Sequence, residues 1–209
     1  MKFIVLVVFT TLHSLLSAQT IKPAERLILG DSIVFMGIDL SSAKFYDPER
    51  VTKGIYIRDR HGLGWCQIAD NIFKADIKFD LQKKFVSPML AVFDSSYQWL
   101  DSTWIIEDAY KGISDEDIKL HVKRYPVNSS QRLGIVILID QMHVVTKMVN
   151  ICVAYIDLNS KEVIKVIRAE GPGSGYGYTA FWKTGIENAY HDFIAKDDKY
   201  LKELKKFFK

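Results

Sequence analysis

The sequence predicts a single α+β domain: a mixed, largely antiparallel sheet packed by helices, with a C-terminal β-hairpin followed by a long amphipathic helix. Three observations predict it. Residues 133–139 (LGIVILI) are apolar on both faces, which indicates a strand in the middle of a sheet. Residues 149–157 and 162–168 are rich in β-branched side chains and flank a short polar turn, as in an antiparallel hairpin. From residue 178, apolar side chains recur at helical spacing.

Shorter patterns predict the elements that precede residue 114. Residues 33–40 (IVFMGIDL) are apolar and β-branched and follow Gly30 and Asp31, which predicts a buried strand. The other expected elements are, in order, a short extended piece at 44–46, a helix over about 63–77, a short basic turn at 81–85 capped by Asp80 and ended by Pro88, and an extended stretch at 89–100.

Ser114 is predicted to begin a helix. Its hydroxyl can accept a hydrogen bond from the backbone N–H of Asp117, and Ile113 and Ile118 are spaced as a hydrophobic staple. Pro126 ends the helix because it cannot continue the backbone hydrogen bonding.

The composition excludes several classes of protein. A chain of 209 residues that is 48% hydrophobic is too apolar for intrinsic disorder and has the length of one domain. Two cysteines are too few for a disulfide scaffold or a cysteine-based zinc module. A net charge of +3 is too small to indicate a nucleic-acid partner, and none is expected.

The N-terminus has the architecture of a signal peptide. Lys2 is followed by 16 residues without charge (3–18), which is short of the roughly 20 that a membrane-spanning helix needs. We expect cleavage after Ala18, which leaves residues 19–209 as the single domain and directs the protein to the periplasm, the cell surface or the medium. An uncleaved membrane anchor is the alternative.

The C-terminal tail, residues 196–209, is basic and amphipathic. It carries six lysines against three acidic residues, with leucines and phenylalanines on another side. The pattern favours a continuation of the last helix whose apolar side packs on the core. The alternative is a weak contact of this tail with an anionic membrane surface.

The glycine-rich stretch at 171–178 is the most conspicuous local motif. Residues 175–180 (GYGYTA) match the dinucleotide form G-x-G-x-x-A, but that motif requires a βαβ unit and here a hairpin strand precedes it. We therefore expect a tight turn with glycines at positive φ and no cofactor. A second interpretation is a ligand pocket ringed by aromatic side chains, namely Tyr176, Tyr178, Trp182, Trp99 and Trp104.

Cys66 and Cys152 both have apolar neighbours, which is typical of buried free thiols. In an oxidising compartment they could instead form a disulfide if their Cα atoms lie within about 7 Å. Neither has a basic cluster nearby in sequence to activate it as a nucleophile. The histidines form no metal-ligand motif, and no complete catalytic set is recognisable, so no metal and no enzymatic activity are expected.

Two segments resemble a known group of proteins. Residues 154–186 (AYIDLNSKEVIKVIRAEGPGSGYGYTAFWKTGI) and 35–45 (FMGIDLSSAKF) are similar to corresponding stretches in exported envelope proteins of Gram-negative, Bacteroides-like bacteria. The resemblance implies a periplasmic or envelope location. It implies no activity, because none is established for that group.

The sequence is compatible with two functions. The first is a non-enzymatic envelope protein that acts through contacts with an unknown protein partner. The second is a periplasmic ligand-binding module that uses the aromatic, glycine-rich loop. A broad exposed apolar patch would favour the first, and a deep pocket beside the glycine loop would favour the second.

The leader predicts a specific mature mass. Protein recovered from its native host should lack about the first 18 residues, because signal peptides are removed on export. Intact-mass spectrometry measures this directly. A full-length product embedded in the membrane would contradict the prediction.

Overall fold

The computed structural model describes residues 22–46, 80–88, 105–106, 110–127, 129–143, 145–176 and 178–208. It confirms the α+β class with a mixed sheet. The predicted signal peptide, the helix over 63–77 and the stretch at 89–100 lie outside the described residues. Within them, no helix combines the length and the hydrophobicity that crossing a bilayer requires.

Within the described residues, the sheet has seven strands and is flanked by a 3-10 helix and two α-helices. The strands are β1 (Ser32–Asp39), β2 (Lys44–Tyr46), β3 (Phe85–Pro88), β4 (Ile105–Ile106), β5 (Leu133–His143), β6 (Met148–Asp157) and β7 (Glu162–Pro172). The helices are the 3-10 helix (Pro23–Leu29), α1 (Asp115–Arg124) and α2 (Tyr178–Phe207).

Strand β5 is the centre of the sheet, as its apolar sequence predicts. Strands β1 and β2 lie end to end along one side of β5, and both run parallel to it. Strand β6 pairs antiparallel on the other side, and β7 pairs antiparallel with β6. Strands β3 and β4 extend the sheet beyond β1 and β2 in short parallel ladders. The predicted C-terminal hairpin is therefore β6–β7.

Both faces of the sheet are covered, which explains why β5 carries no polar side chain before Asp140. On one face, Ile135 and Ile137 join a core with Trp182 of α2. On the other face, Val136 packs in a second core with Ile118 of α1. Alternate residues of one strand thus supply two separate cores.

Helix α1 begins and ends as the sequence predicts. The Ser114 hydroxyl accepts from the N–H of Asp117 at 3.1 Å, and Ile113 and Ile118 are both buried. The helix stops before Tyr125, whose extended backbone is the conformation that a following proline favours.

Helix α2 includes the basic tail, as the amphipathic pattern of residues 196–209 favours. It continues to Phe207, and Leu201 and Leu204 of the basic tail are buried in the core beside the sheet. The tail packs by its apolar side, which leaves its lysines outside. Those buried leucines are therefore not available to a membrane.

Glycines let α2 approach the hairpin closely. A Cβ on Gly171 of β7 would lie 2.1 Å from the backbone nitrogen of Ala189, and one on Gly185 of α2 would lie 2.4 Å from a methyl group of Val149. Neither position can hold a larger residue unless the helix moves away from the sheet.

Side chains of α2 also satisfy the outer edge of β7, which pairs with no strand on that side among the described residues. The side chains that do so are spaced four residues apart and therefore form one stripe along the helix. The three bonds are Glu170 N–H to Asp192 Oδ2 at 3.0 Å, Lys196 Nζ to the Arg168 carbonyl at 3.1 Å, and Asn188 Nδ2 to the Pro172 carbonyl at 2.7 Å. This stripe blocks an edge that could otherwise pair with another chain.

The predicted basic turn at 81–85, ended by Pro88, is wrong in its second half. Phe85–Pro88 form strand β3, which pairs parallel with the start of β1. The Lys83 ammonium donates to the carbonyls of Ile28 and Gly30, so the residues before β3 are held against the entry to β1. Because this pairing partner lies some fifty residues away, local patterns do not indicate it.

The Gly171 contact predicts a large effect of one methyl group. Gly171→Ala should lower the free energy of unfolding by about 1–3 kcal/mol, because overpacking forces the helix and strand apart. Urea unfolding of Ser174→Ala, at an exposed residue of the loop that follows β7, provides the control and should match the unaltered protein. Equal stability of all three proteins would contradict the close packing.

Candidate functional site

A cleft of about 610 Å³ opens on the α1 face of the sheet, beyond the N-terminus of that helix. Helix α1 covers the apolar residues of this face but starts too late to cover its polar end. The polar and charged residues that line the cleft are Lys111, Ser114, Asp140, Asn150, Arg168, Glu170 and Lys196.

Strand alternation explains why these side chains meet. Cys152 faces α1, so Asn150, two residues earlier in β6, faces the same way. On β7, Arg168 lies opposite Cys152 and Glu170 lies opposite Asn150. The cleft floor is therefore a set of cross-strand neighbours drawn from the hairpin.

Asp140 is the buried acid of the site. It lies where the β5–β6 register shifts, with 7% of its surface exposed, and accepts from the Ile113 N–H at 2.8 Å. Gly112, with φ +87°, brings the chain around this carboxylate. Burial raises the pKa of Asp140, while the bonds from Ile113 and Tyr110 and the charge of Arg168 oppose that rise.

Arg168 links the sheet to the start of α1. One guanidinium nitrogen lies 3.0 Å from the Cys152 sulfur and the other lies 2.5 Å from Asp115. Burial nevertheless raises the pKa of the Cys152 thiol to about 12, so the thiol is protonated at neutral pH and is a poor nucleophile. Cys152 is free in this structure, and Cys66 lies outside the described residues.

The cleft carries charges of both signs, with three cations and two carboxylates in its lining. Lys111, Arg168 and Lys196 supply positive charge, and Glu170 and Asp140 supply carboxylates. Such a site suits a small molecule that offers a negative group to the cations and a hydrogen-bond donor to the carboxylates.

Of the aromatic residues predicted to bind a ligand, the structure describes the side chains of Trp182 and Tyr176, and these two share no pocket, since one is buried and the other exposed. Trp182 is buried, with its ring edge-on to Phe45 and to Phe181, so it belongs to the core. Tyr176 is fully exposed in the glycine loop. Trp99 and Trp104 lie outside the described residues, and the side chain of Tyr178 is not described either.

The glycine loop itself is a tight connection, as predicted. Gly175 has φ +108°, which glycine adopts without strain. Gly177 lies outside the described residues.

A second polar cluster lies at the end of β1. The fully buried Asp39 accepts from the Ser41 hydroxyl and the Tyr125 hydroxyl, each at 2.5 Å. The Ser41 oxygen lies 2.8 Å from Nδ1 of His121, and that nitrogen lies 3.5 Å from Asp39. In a catalytic triad the serine and the acid contact opposite ring nitrogens. Here both contact Nδ1, so the cluster has the geometry of a clamp between β1 and α1.

The hydrogen bonds of the clamp decide the ionisation of Asp39. Burial alone would raise its pKa, but the bonds from His121, Ser41 and Tyr125 outweigh burial and lower it. Asp39 is therefore ionised at neutral pH and holds α1 against the strand.

A smaller hollow of about 370 Å³ lies near the β6–β7 turn and is lined by lysines 22, 119, 123 and 161. The Lys161 ammonium donates to the carbonyls of Lys123 and Tyr125 at the end of α1. Cations at a helix C-terminus stabilise the helix dipole, which accounts for this lysine.

Among the residues that the structure describes, no group of three or more His, Cys, Asp or Glu side chains is placed to hold a metal ion.

Comparisons with known proteins add little. No protein-family model matches the chain, and no curated protein matches it. Among solved structures, the chain is similar to the hypothetical protein CT253 from Chlamydia trachomatis, with 10% sequence identity, coverage of 82% of this chain and 95% of that chain, and a TM-score of 0.30. A likeness at that level supports no statement about function.

The Asp39 clamp predicts a pH-dependent loss of stability in Tyr125→Phe. Removing the donor should cost about 1–3 kcal/mol at neutral pH, because a buried carboxylate loses a partner. The lowered pKa of Asp39 contributes stability above about pH 3.8 that is lost as the pH falls through the folded-state pKa. The difference between variant and unaltered protein should therefore shrink towards acid.

Tyr190→Phe is the matched control, because its hydroxyl donates to Asp80, a partly exposed carboxylate. Urea unfolding at several pH values measures both variants, and the control should lose less. A Tyr125→Phe deficit that stays constant down to pH 2 would contradict the clamp.

Proposed function

We propose that the protein is an exported, non-enzymatic binding module whose cleft takes a small molecule with a carboxylate and an adjacent amine or hydroxyl group. The observation that carries the proposal is the cleft itself, in which side chains of opposite charge from the hairpin, β5 and α2 converge around the buried Asp140.

The two functions left open by the sequence differ in the surface that they need. A broad exposed apolar patch would indicate contact with a protein partner. The large exposed apolar side chains of the described residues are spread over two helices and two short loops: Leu120 on α1, Phe207 on α2, and Val145 and Tyr176 on the loops that follow β5 and β7. A cleft of about 610 Å³ supports the ligand-binding alternative, but residues of β7 that precede the glycine loop line it and no residue of the loop itself does.

The chemistry of the cleft supports this ligand class. The Arg168 guanidinium is bonded to Asp115 and Cys152, and its positive charge, with those of Lys111 and Lys196 in the same lining, attracts a ligand carboxylate. Glu170 and Asp140 can accept from an amine or hydroxyl on the same molecule. Free amino acids, hydroxy acids and short peptides carry both groups.

A non-enzymatic role is supported because neither Cys152 nor Ser41 is activated as a nucleophile. The Cys152 thiol is kept protonated by burial. Ser41 donates its hydroxyl proton to Asp39, so His121 does not serve as its base. Export remains part of the proposal, and it rests on the leader at residues 1–18.

Thermal unfolding in the presence of millimolar free amino acids, hydroxy acids and dipeptides tests the proposal. At about 100 times the Kd, a bound ligand adds about 2.7 kcal/mol, which corresponds to a rise of roughly 5–10 °C in Tm for a domain of this size. We expect such a rise with at least one of these compounds, and its loss in Arg168→Gln.

Arg132→Gln is the control. Arg132 is also an exposed arginine in an ion pair, with Asp157, but it does not line the cleft. It should keep the ligand response. No response in the unaltered protein, or an equal response in Arg168→Gln, would contradict the proposal.

A further inference from the structure

Two loops meet at the end of the sheet where β5, β6 and β7 turn. They are residues 145–147, between β5 and β6, and residues 173–176, after β7; together they form the loop tip. The N–H of Gly173 donates to the carbonyl of Lys147 at 2.7 Å, so the two loops lie side by side.

Each loop is held in one shape by its own contacts. The N–H of Thr146 donates to Nδ1 of His143 at 3.0 Å, and Lys147 has φ +58°. The Thr184 hydroxyl of α2 donates to the carbonyl of Ser174 at 3.0 Å. The tip is thus a built feature of the fold.

The tip presents apolar side chains to solvent. Val145 is 60% exposed and Tyr176 is 102% exposed, so the tyrosine packs against nothing in the described structure. Two of the four large exposed apolar side chains of the described residues therefore lie on this pair of connected loops. Sequestering them would recover hydrophobic free energy that the folded chain leaves unused.

The loop tip itself lacks negative charge. Its seven described residues contain no aspartate or glutamate and one lysine, the exposed Lys147. Lys183 of α2 is paired with Glu187 at 3.8 Å and adds no net charge. In an average chain a quarter of the residues are charged, with both signs interspersed. A surface of this composition is complementary to an anionic one.

We infer that the loop tip docks on an anionic lipid surface, with Val145 and Tyr176 entering the interfacial region and Lys147 contacting the headgroups. Tyrosine suits that region because it has an apolar body and a polar end. Each basic residue near an anionic membrane strengthens binding by about fivefold.

The shape of the tip favours lipid over a protein partner. A stable protein interface takes about 800 Å² from each side, and two loops of three and four described residues are too small to supply it. Lipid needs no such area, because the strength of a reversible attachment grows with the apolar area that enters the interface and with the attraction to anionic lipid. The basic tail at 196–209 is a poorer candidate, because Leu201 and Leu204 are already in the core.

Co-sedimentation with vesicles tests the inference. The chain from residue 19 is used, because the apolar leader would itself enter lipid and the described fold begins at residue 22. We expect binding to vesicles of equal phosphatidylglycerol and phosphatidylcholine, and at least about fivefold weaker binding to phosphatidylcholine alone.

Two independent variants locate the contact. Tyr176→Asp and Val145→Asp should each weaken binding to the anionic vesicles by about fivefold or more, since each loses an apolar group and adds a repelled charge. Leu120→Asp, at a 52% exposed leucine of α1, is the matched control and should bind as the unaltered chain does. Arg168→Gln should also bind normally, which separates the tip from the cleft.

Three results would overturn the inference. The first is no binding to the anionic vesicles. The second is equal binding to both kinds of vesicle, which removes the role of charge. The third is normal binding by both tip variants, or a loss in Leu120→Asp as large as theirs, which places the contact elsewhere.

Discussion

The close contact between α2 and the edge of the β6–β7 hairpin is the constraint on which the rest of the structure depends. Gly171 and Gly185 allow it, because a Cβ at either position would clash with the opposing element. The contact brings Asn188, Asp192 and Lys196 of the helix to the backbone groups on the outer edge of β7. A long strand edge is thereby closed without another strand, and its hydrogen-bonding groups are satisfied.

Both proposed binding surfaces depend on that contact. Lys196 reaches the cleft because its stripe of α2 lies over Arg168 and Glu170. The loop tip keeps its shape because the start of α2 is fixed beside the glycine loop, with Thr184 bonded to Ser174. On the opposite side of the cleft, the Asp39 clamp fixes α1 and therefore the residues around Ser114. One rigid frame thus holds two sites of different chemistry.

Local features could be predicted from the sequence, and features that depend on long-range pairing could not. Ser114 caps its helix through contacts within four residues, so the local sequence is enough to predict where the helix begins. The cleft depends on Arg168 lying across from Cys152 and on the register shift at Asp140, which only strand pairing determines. Trp182 was a plausible ligand residue by type, but the same helical periodicity that places Ile186 in the core buries it as well. Positive φ accounts for Gly175 of the glycine loop. Gly171 is needed for a different reason, the close approach of α2 to β7, which its sequence context does not indicate.

Native-state hydrogen exchange of the Glu170 amide tests the α2–β7 contact most directly. An outward N–H on an unpaired strand edge exchanges quickly, whereas this one is bonded to Asp192 at 3.0 Å. The account predicts strong protection of Glu170 in the unaltered protein, and a selective increase in its exchange rate in Asp192→Ala, with the Ala154 amide of β6 unchanged. Exchange of Glu170 as fast as that of an exposed loop amide in the unaltered protein would contradict it.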